Sequence, residues 1–208
     1  MSARSRDAAY FEALYEADPD PWRFTTSAYE AAKYSETVAA IADRRYRSAL
    51  EVGCSIGVLS RRIAPLCEAF LGLDIVEAPL VEARARCRDL PQARFERMAV
   101  PEDWPAGRFD LILLSEVLYF LGPEDIAATA AHVRRSLLPG GRVLLVNWIG
   151  EPDPPQPGDE AAEVFMGAAG LAIGRQARAE CYRLDLLELP DAASETSRCS
   201  VSGPPGRY

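Results

Sequence analysis

Between Ser48 and Ile63 the chain reads SALEVGCSIGVLSRRI: an apolar run ends in an acid, Glu51, turns through Gly53-Cys54-Ser55-Ile56-Gly57 and opens into a helical pattern. Residue types in this order suit a nucleotide-type cofactor. Glycines let the backbone turn sharply and approach a ligand, and the first N–H groups of the following helix point back at the turn. The spacing is acid-x-Gly-x-x-x-Gly, with Ser55 where a middle glycine often stands, whereas Gly-x-Gly-x-x-Gly seats a dinucleotide pyrophosphate. Glu51 supports S-adenosylmethionine instead. A strand-end acid can hold the ammonium of that cofactor's methionine moiety, directly or through water, and NAD carries no such cation. A second acid agrees: Asp74, in LGLDIVEAPL, falls 21 positions after Gly53, where a carboxylate can accept both ribose hydroxyls. By itself the glycine turn is also compatible with a tight strand-to-helix connection.

Further chemistry-bearing residues flank this centre. Trp22, Tyr29 and Tyr34 offer aromatic faces to a sulfonium or a substrate cation, and Arg23 and Lys33 are cations that could bind the cofactor's carboxylate. Packing of an amphipathic helix onto a sheet is the alternative for Tyr29. After a fourth apolar run, Ser115-Glu116-Val117-Leu118-Tyr119-Phe120 should line the site, since ligands of open α/β sheets sit outside the carboxyl ends of the strands. Glu116 and Tyr119 are its candidate catalytic groups, and a carboxylate suffices to orient an ammonium and accept its proton. Asn147 and Trp148 could present an amide and an aromatic face to a sugar ring, with burial beside the sheet as the alternative for Trp148.

The elements that must position these residues can be read from the alternation of apolar runs with longer amphipathic segments, the pattern of a parallel sheet with crossover helices. Strands are expected near 48–53, 69–74, 93–97, 109–115 and 141–148, with helices near 57–67, 77–89 and 123–137. A helix from Tyr29 to Ile41 follows a Thr25-Thr26-Ser27 cap, and Pro123 with Glu124 and Asp125 opens another, stopped at Pro139-Gly140-Gly141. Asp159 to Gly170 reads as helix and Tyr182 to Leu189 as an edge or penultimate strand. No turn is visible between Arg175 and Leu189, so a strand preceding Tyr182 is expected to be short or missing.

Five segments in order, ALEVGCSIG, FLGLDIVEAPL, FERMAVPEDWP, FDLILLSEVLYFL and LLPGGRVLLVNWI, resemble those of class I S-adenosylmethionine-dependent methyltransferases over about Ala49 to Ile149. The N-terminal DPDPWRFTTSAYEAAKY is similar to that of the nodulation protein S group, whose namesake N-methylates the free amine of a deacetylated chitin oligosaccharide. The resemblance implies an α/β, Rossmann-like, doubly wound, mostly parallel sheet of about seven strands, with helices on both faces and an N-terminal helical lid. It implies one domain over 1–190 (lid about 9–42, core about 47–190) and a flexible tail over 191–208. Its implied cofactor is S-adenosyl-L-methionine, bound by Trp22, Arg23, Tyr34, Glu51, Gly53, Cys54, Gly57, Asp74, Ile75, Met98, Ala99 and Ser115. Its implied acceptor is a small molecule, favoured as a sugar amine. Other metabolite acceptors, O-methylation, and a cofactor-binding protein without catalysis stay open. An NAD oxidoreductase conflicts with Glu51 and the glycine spacing. The chain departs from the family twice: it lacks the acid near Met98 or Ala99 that commonly accepts the adenine amino group, and Phe120 stands where many relatives carry a histidine.

Composition narrows the classes. With 208 residues and 49% hydrophobic content the chain can bury one substantial core. A net charge of −8 repels a phosphate backbone, and Arg84, Arg86, Arg88, Arg94 and Arg97 are interleaved with acids, as on a solvated face. No nucleic-acid partner is expected. No targeting signal and no apolar run of the ~20 residues a membrane helix needs are visible, so a cytoplasmic location is expected. Five cysteines without paired spacing read as reduced thiols, and a single histidine, His132, with no C-x-x-C argues against a histidine-rich metal site.

Overall fold

Runs such as Leu111-Ile112-Leu113-Leu114 and Val143-Leu144-Leu145-Val146 have no polar alternation, and strands of that kind persist where both faces are covered. All eight of these side chains are fully buried. The computed structural model describes residues 4–150 and 156–190. Strands β1 (Tyr46–Val52), β2 (Cys67–Asp74), β3 (Ala93–Arg97), β4 (Phe109–Ser115), β5 (Leu137–Trp148), β6 (Ala172–Arg178) and β7 (Tyr182–Glu188) form one sheet in the order β3-β2-β1-β4-β5-β7-β6. The first five run parallel, and β7 pairs antiparallel with both β5 and β6. Helices α1 (Ala8–Ala17) and α2 (Ala28–Ala39) precede the sheet, while α3 (Ser60–Ile63), α4 (Glu77–Arg86), α5 (Pro123–Ser136) and α6 (Gly158–Ala169) connect its strands.

Side-chain alternation divides the core between the two faces. On one face Ala49, Leu111, Leu113, Leu144 and Val146 meet Tyr34, Ile41, Ile63, Leu80 and Ala83 from α2 to α4. On the other, Leu50, Ile112, Leu114, Val143 and Leu145 meet Ile126, Ala130, Val133 and Phe165 from α5 and α6. The strand order reverses between β1 and β4, and the crevice outside their carboxyl ends is where an open α/β sheet receives a ligand.

Several boundaries differ from those read in the sequence, for local reasons. The helix expected over 57–67 is only α3 followed by a 3-10 turn at Ala64–Leu66, because Pro65 cannot continue an α-helix. Chain freed by that early stop lets β2 begin at Cys67. The α4 helix ends at Arg86, three residues early. The β5 strand begins at Leu137, ahead of the Pro-Gly-Gly expected to separate helix from strand, and its register with β4 shifts between Phe109 and Leu111 to absorb the glycines. A strand does precede Tyr182. The seven residues of β6 are exposed on both faces save a half-buried Ala177, so no apolar alternation marks them, and its turn, Ala179-Glu180-Cys181, has neither glycine nor proline. The α1 helix is an addition to the elements legible in the sequence; Asp7 caps it, accepting from the Tyr10 N–H at 3.1 Å. Among the described residues no helix is long and apolar enough to cross a membrane. The tail expected over 191–208 lies outside the described residues.

Candidate active site

The glycines of the turn after β1 do different work. Gly53 has φ +76°, and a Cβ there would lie 2.3 Å from Cγ2 of Val117, so a bare backbone is what lets β1 turn against the chain leaving β4. Gly57, at φ +75°, faces α4 instead, where a Cβ would meet the Cα and Cβ of Ala83 at 2.9 Å. It packs turn against helix and lines no part of the cavity above the turn. Between them Ser55 takes φ +48°, and its N–H donates to Asp74 Oδ2 at 3.0 Å. Asp74 Oδ1 accepts from Val76 N–H at 3.0 Å, so one carboxylate ties the turns after β1 and β2 together.

That cavity, of about 890 Å³, is walled by the carboxyl ends of β1, β2 and β4 and roofed by α1, α2 and the segment joining them. Glu51, Gly53, Cys54, Asp74 and Ile75 line its floor, and Met98, Ala99 and Ser115 continue the wall. Trp22 and Tyr34 line it from the roof, and Glu116 and Tyr119 from the loop after β4. Arg23 does not: its side chain is 71% exposed and pairs with Asp18 at 3.4 Å, on a backbone at φ +59°. Asn147 also lies elsewhere, wholly buried on the face toward α6, where Gly158 comes close.

Electrostatics at the floor are unusual for acids. Glu51 is 1% exposed; the Ser60 hydroxyl donates to it, and no cationic side chain pairs with it among the described residues. Burial pushes its carboxyl up to about 8, against the pull of Ser60 and with a further push from Asp74. Asp74 is raised to about 6 by burial, while the amides of Val76, Ser55 and Ile75 hold it down. The roof is fastened to this floor. Tyr15 of α1 and Ser55 share a hydrogen bond of 2.6 Å between their hydroxyls, in which either can donate. Trp22 meets Tyr15 edge-on at 5.7 Å and stacks on Phe24 at 5.6 Å. Phe120, in place of a histidine, packs edge-on against Phe11 of α1 at 5.0 Å.

At the other end of the cavity α2 meets the loop after β4. Lys33 Nζ, 2% exposed, donates to Glu30 at 3.0 Å and to Glu116 at 2.6 Å, so it is engaged by carboxylates of the chain itself. Glu116, at φ +59°, also accepts from the Tyr119 hydroxyl at 2.5 Å and the Trp148 N–H at 3.0 Å. Trp148 is half-buried, lines the cavity and meets Tyr29 edge-on at 5.9 Å. After β3 the N–H groups of Met98 and Ala99 are taken, by Asp74 O at 3.0 Å and Asp103 Oδ2 at 3.2 Å. The cavity also brings in Tyr15, Glu30 and Glu102, three residues to which the sequence alone assigns no role. Glu102 is an acid three residues beyond the place where the family commonly carries one; Tyr15 has no local signal around it.

The chain is 33% identical over 132 residues to nodulation protein S of Sinorhizobium fredii, a stretch covering 62% of this chain and 60% of that protein. Thus the matched part spans about six-tenths of the relative's length. A solved structure of a putative methyltransferase from Pseudomonas syringae is 29% identical and superposes with TM-score 0.70 over 78% of this chain and 99% of that one. The N-methyltransferase NodS of Bradyrhizobium japonicum WM9, solved in complex with S-adenosyl-L-homocysteine, shares the fold at TM-score 0.75 over 88% of this chain and 98% of that one, with 18% identity. The family model for nodulation protein S matches residues 11–144, which take in most of α1, all of α2, the glycine turn, both floor acids and the loop after β4. With more than half of its length matched, this chain belongs to the nodulation protein S family.

Proposed function

We propose that the protein is an S-adenosylmethionine-dependent methyltransferase of a small molecule, and that its acceptor is an amine, favoured as the free amine of an amino sugar or chitooligosaccharide. The observation that carries this is Glu51, a carboxylate on the cavity floor at 1% exposure with no cationic partner among the described residues. A buried carboxylate is costly until a cation joins it. The ammonium of the cofactor is such a cation and donates N–H bonds as well, whereas NAD has no ammonium and its pyridinium nitrogen has no N–H to donate. Asp74 keeps lone pairs on both oxygens for the ribose hydroxyls after accepting from Ser55 and Val76. Ile75 and Met98 offer apolar surface to adenine, and Glu102 is the acid available to its amino group. Gly53, Cys54 and Ser115 complete the floor, with Trp22 and Tyr34 above it.

The residues therefore fit the cofactor, which when bound supplies a methyl group on a sulfonium, activated for in-line displacement. The chain's own part is to exclude water and fix the line of attack. Well-oriented intramolecular reactions gain roughly 7 kcal/mol or more in this way. Tyr15, Trp22 and Phe24 cover the glycine turn, and Glu116 holds Lys33 and Tyr119 in place on the acceptor side. There two carboxylates, Glu30 and Glu116, face one ammonium, a balance that suits a cationic acceptor. The faces of Tyr29 and Trp148 suit a sugar ring. Nodulation protein S relatives and the fold shared with an N-methyltransferase bound to S-adenosyl-L-homocysteine support the same reading. A cytoplasmic setting goes with it, since Cys54, Cys67, Cys87 and Cys181 are free thiols.

Calorimetric titration with S-adenosyl-L-homocysteine, with NAD as comparator, tests the cofactor; labelled methyl transfer to amino sugars, small amines and phenols tests the acceptor. Selective micromolar binding followed by transfer to an amino sugar is the expected result. Binding without transfer to any acceptor would mark a non-catalytic cofactor-binding protein, and selective NAD binding would overturn the proposal.

A further inference from the structure

One turn of α2 places Tyr29, Glu30 and Lys33 on the wall of the cavity, opposite Glu116 and Tyr119 from the loop after β4. Of the two carboxylates there, Glu116 is the one with its oxygens already committed. Its Oε1 accepts from Lys33 at 2.6 Å, and its Oε2 from the Tyr119 hydroxyl at 2.5 Å and the Trp148 N–H at 3.0 Å. Glu30 is different. Its Oε1 accepts from Lys33 at 3.0 Å, but its Oε2 is buried and accepts no hydrogen bond among the described residues, the Tyr34 hydroxyl lying near the carboxyl without making one; the residue as a whole is 7% exposed. The hydroxyl of the adjacent Tyr29 is likewise buried and unpartnered among those residues. A charged oxygen in a low-dielectric wall is costly unless something donates to it. Two carboxylates against one ammonium leave a negative charge in excess, so the donor best suited to that oxygen is itself cationic.

We infer that Glu30 Oε2, with the Tyr29 hydroxyl as its neighbour, seats the acceptor's ammonium and takes its proton before methyl transfer, while Glu116 acts through Lys33 and Tyr119 as a positioning residue. The inference rests on the methyltransferase reading for the acceptor being an amine. At neutral pH such an amine arrives as R–NH3⁺ and has no lone pair to attack with. One N–H proton passes to Glu30 Oε2, leaving a neutral carboxyl and a neutral amine. The freed pair forms the N–C bond, the carbon–sulfur bond breaks with its electrons remaining on sulfur, and the product departs as a secondary ammonium. Glu30 then returns its proton to water. Burial holds the Glu30 carboxyl above the usual carboxylate range, against the pull of Lys33 and the Tyr34 hydroxyl and with a push from Glu116. A base so raised is better matched to an ammonium than an exposed glutamate is. The groups that face it are Tyr29, Lys33 and Tyr34 on its own helix, and Glu116 and Tyr119 from the loop after β4.

The test uses the full chain, S-adenosyl-L-homocysteine, a chitooligosaccharide with one free amine, and the fully N-acetylated oligomer as control. Binding of S-adenosyl-L-homocysteine is measured first, for wild type, Glu30→Gln and Glu30→Asp. Its absence in wild type would remove the methyltransferase reading and this inference with it; its presence separates the acceptor site from the cofactor site. With the cofactor product bound, Glu30→Gln should weaken the amine oligomer by about tenfold or more. It should leave the N-acetylated oligomer and S-adenosyl-L-homocysteine within about twofold, and Glu30→Asp, which keeps the charge, should recover part of the loss. In turnover, the wild-type kcat should fall as pH drops through the Glu30 pKa, and Glu30→Gln should lose that acid limb along with most of its kcat. Three results would overturn the inference: no binding of the amine oligomer to the wild-type complex, amine affinity unchanged in Glu30→Gln, or an equal loss for both oligomers. Should Glu30→Gln fail to fold, Glu30→Ala, which also removes the carboxylate, carries the same comparison, and an unchanged amine affinity and pH profile there would overturn it equally.

Discussion

Glu51 and Asp74 are acids held in conditions that favour their neutral forms, and each leaves a signature in the pH dependence of stability. When a carboxyl has a higher pKa folded than unfolded, its stabilising effect is full below the unfolded value and is lost as pH rises through the folded one. For Asp74 that window runs from 3.8 to about 6, and for Glu51 from 4.5 to about 8. The unfolding free energy of the ligand-free protein, measured by urea titration, should therefore decline from about pH 4 to about pH 8. Glu51→Gln, which keeps a partner for the Ser60 hydroxyl, should flatten the upper half of that decline. A wild-type profile flat above about pH 6 would remove the assignment of a buried, cation-free Glu51. Asp74→Ala should weaken S-adenosyl-L-homocysteine by loss of two charge-assisted contacts, each worth about 1.5 to 3 kcal/mol. Calorimetry reads this directly, and an unchanged affinity would exclude Asp74 as the ribose ligand.

At the level of elements, the turn after β1 depends on a residue without a side chain. Gly53→Ala forces a Cβ to within 2.3 Å of Val117 at φ +76°, so β1 and the loop after β4 must separate. The left-handed backbone alone costs about 1 to 2 kcal/mol, and the clash adds to it. Urea denaturation should register at least that loss; a variant as stable as wild type would mean that the turn relaxes freely. This turn is legible in the sequence because each of its parts is local: an unbroken apolar run, an acid at its end, glycines next. The same holds for Asp74 and for β2, β4 and β5, whose centres are continuous apolar runs. Features that leave no trace in the sequence are either exposed or distant. The β6 strand has no buried face to impose a period of two. Tyr15 meets Ser55 across 40 positions of chain, and Lys33 meets Glu116 across 83, so no local pattern records either pairing. Arg23 groups with the cofactor in sequence as a cation able to bind its carboxylate, but its side chain is exposed and paired with Asp18 while Trp22 lines the cavity. Ala99 stands in the cofactor set implied by the resemblance, but its N–H is taken by Asp103 four residues on.

Across the whole molecule, the antiparallel end of the sheet is held by charge as well as by apolar contact. Arg183 on β7, 8% exposed at its side chain, reaches Asp185 at 2.8 Å, Asp159 at 3.1 Å and Glu163 at 2.9 Å, joining the sheet to the first turns of α6. Asp185 is 1% exposed, so removing its cation strands a buried charge. Arg183→Met should cost about 3 to 5 kcal/mol. In a chain of this size that corresponds to a Tm lowered by about 6 to 20 °C in a thermal melt, and a fall under about 2 °C would show the network to be solvated. The same end of the molecule carries the exposed β6, whose outer backbone N–H and C=O groups have no further strand to pair with among the described residues. An open strand edge is a template on which another chain can crystallise into a growing ribbon. Arg175 lies exposed on it, Arg178 is held beside it by Asp159, and a register shift between Ile173 and Arg175 bends it, so a second copy meets charged side chains and a mismatched ladder. These features act as a stop signal for polymerisation: Arg175→Thr combined with Arg178→Thr should raise light scattering on incubation at high protein concentration, and a solution that stays clear would show that the bend alone suffices.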